Sequence, residues 1–138
     1  MRAEAIFAPV SVLALWTGLV LAVTGYRRIG AVRRRRVSRQ AFQFGDSAEV
    51  PADVVLANRN LMNLLEMPLL FYVVAVASYV THHAGTGAVR LAWVYVALRV
   101  LHSCEHLTTN HVIRRLVLFA ASNIVLIALW IRFIRAVF

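Results

Sequence analysis

Arg59, Asn63 and Glu66 stand in an otherwise apolar stretch. On a helix advancing about 100° per residue, Asn63 falls about 40° to one side of Arg59 and Glu66 about 20° to the other. A cation, an amide and a carboxylate therefore share one narrow stripe. A second run repeats the pattern: measured from Arg99, His102 lies at about −60°, His106 at about −20° and Asn110 at about 20°. A charged group within a membrane span costs about 2.5–3.5 kcal/mol on insertion scales and is normally turned toward protein, water or a ligand. Two such stripes, facing one another, predict a buried polar site. Two readings of it stand level. Arg59 and Glu66 pair while the histidines hydrogen-bond between helices, or the stripes bind a ligand.

His102-Ser103-Cys104-Glu105-His106 matches the H-x-x-E-H pattern of some zinc proteases, with the histidines one turn apart. No acidic residue follows Glu105, so the downstream carboxylate ligand of that class is missing and no metal is expected. Cys104 and His106 stand about 200° apart around a helix and cannot act as nucleophile and base; Cys104 reads as a packing residue. Arg114 and Arg115 have a bland reading as membrane anchors. The sharper one turns one of them inward, where a guanidinium would stabilise an anion such as a thiolate.

The elements that must position these residues follow from composition. The chain has 138 residues, 61% hydrophobic and 15% charged, with a mean hydropathy of +0.72. That balance excludes an ordinary soluble domain. Since about 20 helical residues cross a bilayer core, residues 1–138 form one domain of four spans, near 6–26, 53–81, 88–108 and 113–133. The third, interrupted by Arg99, His102, Glu105 and His106, has the weakest hydropathy signal. Tyr26, Trp93 and Trp130 lie near span ends, as interfacial aromatics do. The net charge is +9 and every basic residue is arginine. Arg27, Arg28, Arg33, Arg34, Arg35, Arg36 and Arg39 gather in the loop 27–52, directly after the first span and without interleaved aromatics. This is the pattern of topology-setting charge rather than of a nucleic-acid surface, so no nucleic-acid partner is expected. It predicts a cytoplasmic basic loop, with both termini outside. Because Arg27 and Arg28 follow the first span while only Arg2 precedes it, that span reads as an uncleaved membrane helix rather than a secretory signal.

The pattern Arg59-x-x-x-Asn63-x-x-Glu66 followed by Pro68 resembles the signature of the MAPEG family, the membrane-associated proteins of eicosanoid and glutathione metabolism. The segment from Arg99 to Arg115 is similar to that of its bacterial members. The resemblance implies an all-α membrane bundle assembling as a homotrimer, in a bacterial inner membrane. It implies glutathione as co-substrate, bound between subunits near the cytoplasmic face. Arg59 would take a carboxylate of the peptide, Glu66 its ammonium and Asn63 its backbone, with further carboxylate contacts from Arg33 or Arg34. The arginine opening the fourth span would lower the thiol pKa, and spacing to Ser122 favours Arg115 over Arg114. His102 and His106 stand where active members often carry two tyrosines one turn apart. The thiolate would attack a lipophilic electrophile arriving from the lipid bilayer, as in a glutathione transferase or peroxidase. Two other classes compete: a non-catalytic trimer binding a lipid headgroup or another anion, and a proton-coupled carrier using Glu66 and the histidines. Four spans without broken helices or repeats disfavour the carrier.

Overall fold

The structure is a computed structural model that describes residues 3–43, 45 and 47–138. A short 3-10 turn, Ala3–Ile6, leads into α1 (Phe7–Arg33); α2 (Ala52–Val80), α3 (Thr86–Leu107) and α4 (Val112–Val137) follow, with a second 3-10 turn at Gln40–Phe42. There is no strand among the described residues.

The helices pack along seams that repeat at helical spacing. In α2 the buried residues Val54, Ala57, Leu61, Leu64, Pro68, Phe71, Ala75 and Ser78 alternate steps of three and four. This is the repeat that keeps one face of a helix on its partners. In α3, Val89, Ala92, Val96, Arg99, Ser103 and His106 follow the same alternation, so a cation and an imidazole occupy seam positions that apolar residues hold elsewhere. α1 buries Leu13, Val20, Thr24 and Ala31, and α4 buries only Ser122, Leu126 and Leu129. α3 packs most extensively on α4 and α1 on α2. The pairs α2–α3, α1–α3 and α2–α4 also touch, whereas α1 and α4 do not meet among the described residues. The bundle is thus a rhombus with α2 and α3 on its short diagonal. Its main core joins Ile6, Leu13, Leu64, Phe71, Tyr95 and Leu129. The rings of Phe71 and Tyr95 stack at 4.7 Å across the α2–α3 contact.

Much of the outer surface is apolar too. Leu15, Leu19 and Leu21 on α1, Leu69 and Val73 on α2, and Ile124, Ile127 and Ile131 on α4 are all exposed, as expected where the surrounding solvent is lipid. Ala3–Arg33, Ala52–Val80 and Val112–Val137 are each long and apolar enough to cross a membrane; α3 is not, by composition. The chain is a bundle of four helices, and three of them qualify as spans on their own.

α1 continues as helix through Arg27, Arg28 and Arg33. The segment between α1 and α2 then folds back over a small apolar cluster of Ala31, Val37, Ala41, Val50 and Val54. It is pinned by an ion pair between Arg36 and Asp53 at 2.9 Å and by Arg27 Nη1 donating to the Asp53 carbonyl at 2.9 Å.

Candidate functional site

The α2 stripe lies on the outer face of the bundle. Arg59 and Glu66 are exposed and Asn63 is half-buried, among exposed Met62, Leu65 and Leu69. Arg59 and Glu66 form no ion pair among the described residues, which removes the reading in which they merely neutralise each other.

The α3 stripe points the other way. Arg99 is 0% exposed, His106 1% and His102 3%. The expectation that the two stripes face each other is therefore corrected. The seam of α2 runs through Ala57, Leu61 and Leu64, and Arg59 stands about 200° around the helix from Ala57. The polar link between α2 and α3 is made one position further round each helix, where Asn60 Nδ2 donates to Ser103 Oγ at 2.8 Å.

Inside the bundle the partners of Arg99 among the described residues are all neutral. Its Nη2 donates to Asn123 Oδ1 at 2.9 Å and its Nε to the Tyr95 hydroxyl at 3.2 Å. Its guanidinium lies 5.1 Å from the centre of the Phe119 ring, where the π face stabilises a cation. His102 and His106 meet edge to face at 5.8 Å. Both ring nitrogens of His106, Nδ1 of His102, Oδ1 of Asn60 and Nη1 of Arg99 are buried without a partner among the described residues.

The turn from α3 to α4 closes the site at the end that carries the basic loop. Asn110 takes a left-handed backbone with φ 51°, and its Oδ1 accepts from Arg115 Nη1. Glu105 is drawn away from the histidines. It accepts from the hydroxyl of Thr109 and, at 3.2 Å, from the His111 backbone N–H, and no group of three or more metal-binding side chains gathers among the described residues. Of the paired arginines, Arg114 is exposed and Arg115 half-buried, with its Nε buried and unpartnered. Arg59 in the first half of α2, His106 in the last turn of α3 and Arg115 in the first turn of α4 all stand toward this end of the bundle. Arg59 and Asn110 also line one open groove of about 620 Å³ with the segment 47–56. Arg33 and Arg34 line a different groove, of about 460 Å³, with Tyr26, Arg27, Arg36 and Asp53.

Sequence reasoning missed Tyr95 and Asn123 as the partners of Arg99. Tyr95 is one turn before Arg99 and was findable from that spacing, whereas Asn123 belongs to α4 and no spacing within α3 points to it.

The helical bundle and its apolar exterior agree with one result of comparison with known proteins. A sequence model described as the MAPEG family matches residues 6–135. No curated protein and no solved structure matches. Since the match covers nearly the whole chain, the chain belongs to the MAPEG family, as an integral membrane protein.

Proposed function

We propose that the protein is a membrane glutathione-binding protein, a transferase or peroxidase acting on lipophilic electrophiles, with its ligand held between copies of a homotrimer. The observation that carries this reading is the unpaired Arg59, Asn63 and Glu66 stripe on the exposed apolar face of α2. Left against lipid, a cation and a carboxylate there would each be costly. A neighbouring copy with a zwitterionic peptide between the two would satisfy both. Arg59 takes a carboxylate, Glu66 the ammonium and Asn63 the peptide backbone. Arg34 of the basic end, which lines the groove of about 460 Å³, adds a carboxylate contact, with Arg114 at its rim. Arg115, held by Asn110 and with a free Nε, stabilises the thiolate. His106 is buried beneath this end of the bundle and His102 stands one turn deeper, so both act from inside it. The thiolate sulfur forms a bond to the electrophilic carbon of a substrate arriving from the bilayer, and the electron pair leaves with the displaced group or adds a proton. The orientation proposed is basic loop in the cytoplasm and termini outside, in a bacterial inner membrane.

Titration of glutathione into the purified protein in detergent, followed by calorimetry, tests this reading. Saturable binding is expected, weakened about 10- to 100-fold in Glu66→Gln, the loss of a charge-assisted hydrogen bond. No saturable heat in the wild type would overturn it. The burial of His102 and His106 inside one subunit favours a second reading, a trimer whose polar groups serve assembly or hold another anion. Arg115→Ala separates the two: turnover falls with the trimer intact under the first, and the trimer itself weakens under the second.

A further inference from the structure

The end of α1 carries a second groove, apart from the α2 stripe, with a volume of about 370 Å³ and walls of Arg28, Ile29, Val32, Arg33, Arg39 and Phe42. We propose that this groove binds one anionic phospholipid, with the headgroup phosphate on Arg33 and Arg39 and an acyl chain along Ile29, Val32 and Phe42.

Three observations converge on it. First, depth: α1 has 27 residues, and about 20 suffice to cross the hydrocarbon, so counting from Phe7 the chain leaves the core near Tyr26 and the turn 28–33 stands at headgroup level. Second, charge: Arg33 and Arg39 are exposed and have no partner among the described residues, while the nearby Asp53 carboxylate is taken by Arg36. Arginines clustered just beyond a span attract anionic lipid. Third, shape: the floor of the groove is apolar. Ile29 is more than half exposed, and Phe42 is fixed by the Arg28 guanidinium 5.2 Å from its ring centre and by its packing on the small cluster under the loop. A free phosphate would use the arginines and leave this floor bare. A phospholipid uses both, and Ile29 continues the exposed apolar surface of α1.

The test is a lipid titration of the full-length protein in non-ionic micelles, read as the rise of the thermal unfolding midpoint. Phosphatidylglycerol should raise it saturably, and phosphatidylcholine or inorganic phosphate at equal concentration should not. Arg39→Gln should weaken the apparent phosphatidylglycerol affinity about fivefold and Arg39→Glu about 25-fold. Arg135→Glu, the same charge change at the other end of the bundle, should leave it unchanged. Equal shifts with both lipids, a full shift with phosphate alone, or equal losses in Arg39→Glu and Arg135→Glu would each overturn the proposal. If Arg39→Glu disturbs the loop without lipid, Arg39→Gln carries the comparison. Arg39 is outside the proposed glutathione set, so glutathione titrated into the same samples reports independently, and a failure of that binding leaves the lipid result to stand or fall alone.

Discussion

Arg99 holds its charge at the centre of the bundle with a carbonyl oxygen, a phenol and two aromatic faces in place of a carboxylate. Such an arrangement is costly to build and costly to break halfway. Removing the guanidinium alone strands Asn123 Oδ1, while removing both partners leaves apolar groups of similar volume in contact. Arg99→Met should therefore lower stability by about 1–3 kcal/mol, and Arg99→Met with Asn123→Leu should return to within about 1 kcal/mol of the wild type. Thermal unfolding of the single and double variants in one detergent measures this, and strictly additive losses would show that Arg99 and Asn123 do not act as a pair. At this scale the polar stripes of α2 and α3 were legible in the sequence, because ionisable groups inside apolar segments are rare and their angles follow from helical geometry. The direction of each stripe was not. Arg59 and Asn60 are neighbours, yet one faces outward and the other is fully buried against Ser103, and only the packing of α2 decides between them.

The helices themselves were legible from length and hydropathy, and all four are present. Their inner faces were hidden for a physical reason. In water an amphipathic helix announces its core face, but here Leu69 is exposed to the outside and Leu64 is buried, and lipid and core favour both equally. The connection between α2 and α3 shows a local choice that sequence alone left open. His82 adopts φ 61°, the left-handed region that costs an L residue about 1–2 kcal/mol and a glycine almost nothing. Its side chain is exposed, and its backbone N–H donates to the Tyr79 carbonyl at 3.1 Å, a bond any residue can make. His82→Gly should thus raise stability by about 0.5–1 kcal/mol after the added freedom of the unfolded chain is counted. A lower unfolding midpoint would mean that the imidazole makes a contact worth more than the backbone strain.

For the whole molecule the open physical question is α3, the one helix too polar to cross a membrane by its own composition. It has 22 residues, about 33 Å of helix, enough for the hydrocarbon core. Most of the groups that spoil its hydropathy do not meet lipid: Arg99, His102 and His106 are buried between helices, Glu105 lies at the last turn, bonded to Thr109 and His111, and only Arg90, in the second turn, is an exposed charge near the other end. A helix judged alone is charged for exposing those groups, and a helix packed along α2 and α4 is not. α3 should therefore cross as half of a hairpin with α4, its most extensive contact. Single cysteines in a Cys104→Ala background test this with a membrane-impermeant maleimide on intact cells. His83→Cys, in the α2–α3 turn, should label at once; Ser47→Cys, in the basic loop, and His111→Cys, in the α3–α4 turn, should label only after permeabilisation. If α3 lay along the surface instead, positions 83 and 111 would label together, and the buried arginine would need a different explanation. If Ser47 labelled first, the bundle would stand with its arginine-rich end outside, and the proposed cytoplasmic glutathione site would have to be abandoned.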